Sequence, residues 1–364
     1  MKTMKKSTTA NILCYGIIIV FFVVIQAMLS SGSIGTQLKG LLVPVCCYIV
    51  MAISLNLTVG VLGELSLGHA GFMSVGAFVG AIVCTCLETV IPLGPARLAI
   101  GMIIGALFAG LAGFLIGIPV LRLKGDYLAI VTLAFGEIIK NLALCLYVGL
   151  DGNGLHFGFL SSIRALGMEE GARTIVDGPV GLQGITKIST FTSGIVLILI
   201  TLLIVLNLVN SRSGRAIMAL RDNRIAAESV GIPVTKYKLM AFVTSAAIAG
   251  AAGCLYAMNY STVVATKFDF NASILVLVFV VLGGLGNMWG SIIATGLLYV
   301  LPEILRQFNS DIQKYRMLIY AIVLILVMLA TNNKAIRGFF SKMKDAISRT
   351  ASGRRKSKGG EQGE

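Results

Sequence analysis

The sequence predicts an all-α, polytopic membrane protein of about ten transmembrane helices. Hydrophobic residues make up 56% of the 364 and charged residues only 13%, too little polar surface to solvate a soluble fold of that length. Uncharged stretches at 40–63, 98–121, 188–211 and 239–266 each reach or exceed the roughly 20 residues a helix needs to cross hydrocarbon. Backbone groups in lipid must bond within their own segment, which makes helices the default.

The elements follow in order. Lys2, Lys5 and Lys6 precede an apolar run at 12–29 that is too long for a signal-peptide core and lacks a small-residue cleavage site, so it reads as an uncleaved first span. Spans are expected at 12–30, 40–60, 69–87, 98–120, 127–148, 191–210, 239–259, 271–286, 289–305 and 317–332. The eighth and ninth come from one uncharged run, 270–302, which is too long for a single helix. Gly283, Gly284 and Gly286 interrupt it, and glycine pairs in an apolar run mark a turn or a close crossing. Gly101, Gly105 and Ala109, then Gly110, Gly113 and Gly117, have the spacing of close helix packing.

Ten spans put both termini on one side. Most of the 30 Lys and Arg residues fall on that side, which predicts cytoplasmic termini and a multi-pass protein of the inner (cytoplasmic) membrane. Loop 149–190 is Gly-rich with mixed charges, among them Asp151, Arg164, Glu169, Glu170, Arg173 and Asp177, and suits an outer cap. A membrane domain is expected over 1–332. The basic tail 333–364 is expected to be disordered and drawn to anionic lipid.

Several chemistries are disfavoured. The seven Cys lie in apolar segments, and the two His, His69 and His156, stand far apart with no Cys or carboxylate cluster around them. That argues against a metal site or an intramembrane enzyme with a nucleophile and base. No G-x-x-x-x-G-K-[ST] loop is present, so the chain is not expected to bind ATP by that route. No cofactor and no nucleic-acid partner are expected, and the energy source must lie in partner subunits or an ion gradient.

Polar residues at membrane depth are the first candidates for chemistry. Glu137 and Lys140 stand three apart on the fifth span and can neutralise each other on one helix face. Such groups face a bundle interior or water, which suggests either a role in a solute pathway or an ion pair that fixes packing. Asn56, Glu64, Ser66 and His69 cluster around the GELSLGH segment and could form an inner gate or cap helix ends. Asn287, in GGLGN, joins them as a pathway candidate. In an ion-coupled transporter, Glu137 would be the proton or sodium site.

The longest inner loop, 211–238, carries a helix-forming stretch over 214–230 that Gly231-Ile232-Pro233 ends. Ala216, Leu220, Ala227 and Gly231 fall at near-helical spacing, with Arg215, Arg221, Asp222, Arg224 and Glu228 around them. One short rigid helix of this kind could dock into a groove of a soluble partner. The alternative is an ordinary solvated loop on the lipid headgroups.

Four blocks then carry a resemblance: GELSLGHAGFMSVGAF at 63–78, LKGDYLAIVTLAFGEIIKN at 123–141, ALRDNRIAAESVGIPVTKYKLMAFVTSAAIAGAAGCLYA at 219–257 and VVLGGLGNMWGSIIATGLL at 280–298. In this order they resemble the LivM-type permeases of branched-chain amino acid ABC transporters, over most of the chain from the second span to the tenth. The resemblance implies an ABC importer permease fold, a second related permease in a different chain, two cytoplasmic ATPase subunits that bind the ATP, and an extracytoplasmic solute-binding protein. It places the coupling segment at Ala226, Ala227, Glu228, Ser229, Val230 and Gly231, with Arg221 and Asp222 beside it. It implies uptake of leucine, isoleucine and valine, or in related permeases urea, short amides or other amino acids.

Overall fold

The computed structural model describes residues 2–31, 35–88, 90–123, 125–151, 154–159, 173–307 and a few positions between 318 and 325. The chain divides into two compact units, Met1–Val300 and Leu301–Glu364. In the second unit the described residues are the last seven residues of one helix and isolated helical positions at 318–325. The expected tenth span, 317–332, lies largely outside the described residues, and the tail 333–364 lies wholly outside them.

Helices dominate the first unit. They are α1 (Lys2–Ser30), α2 (Thr36–Asn56), α3 (His69–Cys86), α4 (Gly94–Val120), α5 (Asp126–Leu144), α6 (Phe191–Asn210), α7 (Arg212–Asp222), α8 (Arg224–Ser229), α9 (Val234–Ala257), α10 (Phe270–Gly283) and α11 (Met288–Gln307). A π-helical segment, Leu57–Leu62, continues α2 without a break. Among the described residues, seven helices are long and apolar enough to cross a membrane. The apolar part of α1, Ile18–Ser30, and α10 are shorter. At 14 residues, α10 is about 21 Å long, and Asp269 fixes its start by accepting from Ala272 N at 2.9 Å.

An all-helical reading misses one element. The fifth span was expected to run to 148, but α5 ends at Leu144, and the chain then enters a four-stranded antiparallel sheet of order β2-β1-β3-β4. Its strands are β1 (Leu146–Asp151), β2 (Gly154–Phe159), β3 (Arg173–Asp177) and β4 (Gly181–Leu182). Leu182 also bridges Val263, just beyond α9. The expected cap over 149–190 therefore has a folded part, tied down by charge: Glu88, past the end of α3, meets Arg173 at 2.7 Å and the buried Arg97 of α4 at 3.6 Å. Arg97 also donates to Thr186 at 3.0 Å.

The core is α3, α4 and α9, with the largest shared interface between α4 and α9. Small residues let these backbones meet, as the spacing at Gly101–Gly117 led us to expect. A Cβ on Gly250 would stand 2.7 Å from the Gly105 carbonyl oxygen, and one on Gly113 would stand 2.6 Å from Ala246 Cβ. Aromatic contacts add α11 to α2, where Tyr48 and Tyr299 lie 4.5 Å apart between ring centroids. Replacing Gly76, whose added Cβ would strike the Gly250 backbone, with Ala is expected to destabilise the bundle by about 1–3 kcal/mol. Gly296→Ala, with open space around it, should leave the thermal unfolding midpoint in detergent unchanged or slightly raised.

Candidate functional site

The segment between α6 and α9 is not one helix. Ser211 ends α6 and caps α7, accepting from Gly214 N at 3.1 Å. Asn223, with φ −155° and ψ 105°, breaks the helix after Asp222, and its side chain caps α8 by accepting from Ala226 N at 3.1 Å. The expected single helix over 214–230 is thus a pair of short helices. The expected stop at 231–233 is where the sequence put it: Gly231 has φ +83°, its N–H bonds Glu228 O, and Pro233 leads into α9.

The pair has two faces. Ala216, Ile217, Leu220 and Ala227 are buried, and Ile217 is fully so. Gly231, expected on that small-residue face, is exposed instead. On the open side Ile225 is 80% exposed and Val230 75% exposed, next to Ala226, Ser229 and Gly231. Glu228 pairs with Arg224 at 3.1 Å, and Ser229 Oγ donates to Ala226 O at 2.8 Å. Two large aliphatic side chains in the open, framed by small residues, make a knob suited to an apolar groove.

Arg221 points the other way. Its Nε and Nη2 engage the Asp222 carboxylate at 3.2 and 3.0 Å, and its Nη1 donates to the Gly60 carbonyl in the π-helical segment at 2.9 Å. Its stem crosses Gly63, where φ is +80° and an added Cβ would lie 2.5 Å from Arg221 Cγ. The last carbonyls of any helix lack an intrahelical donor, and a cation there also suits the helix dipole. Sequence reasoning grouped Arg221 with the partner-facing residues; its guanidinium also bonds the end of a span.

The π-helical segment is where the expected gate residues diverge. Asn56 accepts from Gly286 N at 2.8 Å and donates to Ser291 Oγ at 2.9 Å, so it pins the turn between α10 and α11. Asn287 caps α11 by accepting from Gly290 N at 3.3 Å. Glu64 forms an ion pair with Lys238, which is 4% exposed in the second turn of α9. His69 Nε2 and Ser54 Oγ are 2.5 Å apart. Ser66, 1% exposed, has no hydrogen-bond partner for its hydroxyl among the described residues. Asn56, Glu64 and His69 thus each take a different partner.

Residues 63–68 are non-helical and run back into the bundle. Leu67 N donates to Thr132 Oγ1 at 3.1 Å, and Ala70 N donates to Ser273 Oγ at 3.0 Å. Glu137 and Lys140 form the expected ion pair along α5. Glu137 also lines a narrow crevice with Leu67, Gly71, Asp269 and Ser273. Among the described residues no group of His, Cys, Asp and Glu could hold a metal ion.

Broken spans packed on a two-faced helix pair are features of transport machinery, and the comparisons agree. The family described as branched-chain amino acid transport system, permease component, matches residues 37–328. The chain belongs to that family. This permease is 34% identical to the high-affinity branched-chain amino acid transport system permease protein LivM of Salmonella typhimurium, over 83% of this chain and 69% of that one. It is 36% identical to LivM of Escherichia coli, over 78% and 66% of the two chains. A fructose import permease protein, FruG of Bifidobacterium longum, is 27% identical over 73% and 76%. No solved structure matches.

Sequence reasoning missed four participants in the permease's site: Asn223, Ile225, Lys238 and Ser291. Asn223 carried a signal, since Asn is a strong N-cap residue; Lys238 looked like one more topology charge. Replacing Lys238 with Met is expected to cost about 1–3 kcal/mol, because the half-buried Glu64 is left unpaired. Adding Glu64→Gln should recover much of that in thermal unfolding, and a double variant no more stable than the single would sink the pairing.

Proposed function

We propose that the chain is the membrane-spanning permease subunit of an ATP-driven importer, with ten spans, cytoplasmic termini and a location in the inner (cytoplasmic) membrane. Residues 1–332 form the membrane domain and 333–364 a basic cytoplasmic tail beside lipid. The observation that carries this reading is the α7–α8 pair, whose inner side is buried on the bundle and whose outer side offers Ile225 and Val230. Two cytoplasmic ATPase subunits supply ATP hydrolysis, so the chain needs no cofactor and is not itself an enzyme. Each ATPase pair member grips a helix pair of this kind in a groove, with Ala226, Ala227, Glu228, Ser229 and Gly231 shaping the contact. A second related permease completes the pathway, and an extracytoplasmic binding protein delivers solute to the sheet end.

The solute is a branched-chain amino acid: leucine, isoleucine or valine. The names of the two LivM relatives support that choice, while FruG marks how far solutes range among similar permeases. Glu137, held by Lys140, is the pathway group whose crevice a polar solute could meet. In proteoliposomes carrying the ATPases and binding protein, leucine uptake is expected to require ATP and to survive an ionophore. Uptake that ignores ATP and collapses with the ionophore would replace this reading with an ion-coupled one. Ile225→Asp and Val230→Asp are each expected to abolish co-purification of the ATPases while the permease still inserts, because each puts a carboxylate into an apolar contact.

A further inference from the structure

The importer reading leaves open how displacement of a surface helix pair reaches the spans. The contacts made by Arg221 supply a continuous route. Asp222 holds Nε and Nη2, which fixes the guanidinium plane and leaves Nη1 aimed at Gly60 O. The Arg221 stem lies across Gly63, the residue that closes the π-helical segment. Both Gly63 N and Glu64 N return to Thr58 O, so Gly60 O is left for the side chain.

Gly60 backs directly onto the next turn. An added Cβ there would collide with the Gly286 amide and with Asn56 Oδ1. Asn56 in turn binds Gly286 N and Ser291 Oγ, so the end of α2 and the α10–α11 turn are held as one body. A π-helical segment differs from an α-helix by one step of hydrogen-bond register, and such segments concentrate at functional positions. One side chain thus joins the exposed helix pair to the part of α2 that has an alternative register close by.

We propose that Arg221 is a positioning residue for transport: it passes displacement of the α7–α8 pair through the Gly60 carbonyl to the end of α2 and to the α10–α11 turn, and it does not contact the ATPases. This rests on the importer reading, in which ATPases drive the pair. Asp222 acts with it by orienting the guanidinium.

The test uses the complete importer in proteoliposomes with leucine as the probe. Arg221→Gln keeps the stem over Gly63 and withdraws the donor from Gly60. The ATPases are expected to co-purify as with the unsubstituted chain, while ATP hydrolysed per leucine imported rises about tenfold or more, the scale of one lost hydrogen bond from a charged group. Amide exchange at 57–62 and 283–287 should quicken. Arg221→Lys, which restores a donor, should bring the ratio most of the way back. Arg221→Met, with a stem of similar length and no donor, carries the same expectation if the Gln variant fails to insert. An unchanged ratio in the Gln variant, or in the Met variant where Gln fails to insert, overturns the proposal. Loss of ATPase co-purification also overturns it, because Arg221 would then belong to the docking face. Failure of the importer reading shows separately, as ATP-independent uptake by the unsubstituted complex.

Discussion

In hydrocarbon every backbone N–H and C=O must find a partner, and each one left without costs several kcal/mol. The rest of this structure follows from where that rule is strained. Unbroken helices such as α4 and α6 satisfy it internally and need no polar side chains in the middle. The breaks do need them. At the end of α2 the chain leaves helical geometry, runs through 63–68 and restarts at His69. Thr132, Ser273, Arg221 and Asn56 all appear there, each bonding a backbone group. Of the expected gate residues, Asn56 is one of these backbone partners, while Glu64 pairs with Lys238 and His69 with Ser54.

The same rule explains the glycine content. With lipid on one side and lipid-like side chains on the other, apolar burial gives little preference between helix pairings, and close van der Waals approach decides. The contacts of Gly76 with Gly250, of Gly105 with Gly250, and of Gly113 with Ala246 place α4 and α9 backbone to backbone across α3. A core built this way is stiff. The packing is interrupted at the π-helical segment and the α10–α11 turn, outside the α3–α4–α9 group.

Much of this was legible in the sequence. Uncharged length located α2–α6 and α9–α11 with ends within about five residues, because the hydrocarbon sets that length, whereas α1 starts at Lys2, well before the expected 12. The Gly283–Gly286 interruption was readable as a break for the same reason. The sheet was not read, although Asp151 to Gly154 carries hairpin residues between alternating segments. The length rule ran α5 on through Leu146, Tyr147 and Val148, which are apolar because β1 is half-buried, not because it crosses lipid. The helix pair was legible in its amphipathic pattern and its Gly-Ile-Pro stop. Its division at Asn223 was not, because a near-helical spacing continues across the break. The direction of Arg221 and the burial of Lys238 depend on which span ends lie nearby in space, and that information is not local to either segment.

The break at Asn223 changes what the pair can transmit. A single rod pushed at its tip would pivot as a whole about its buried face. Two helices joined at an extended residue separate the tasks: α8 carries the exposed Ile225 and Val230, while α7 carries Ile217 and Leu220 into the bundle and presents Arg221 to Gly60. Force applied at α8 must pass through Asn223 to α7 or through Gly231 to α9. Along the second route lies the Lys238–Glu64 ion pair, and Glu64 sits just beyond the π-helical segment that Arg221 also holds. Both routes out of the exposed helix therefore meet within residues 60–64, on either side of Gly63. In the proposed importer, displacement of α8 along either route therefore reaches that short stretch beside the π-helical segment.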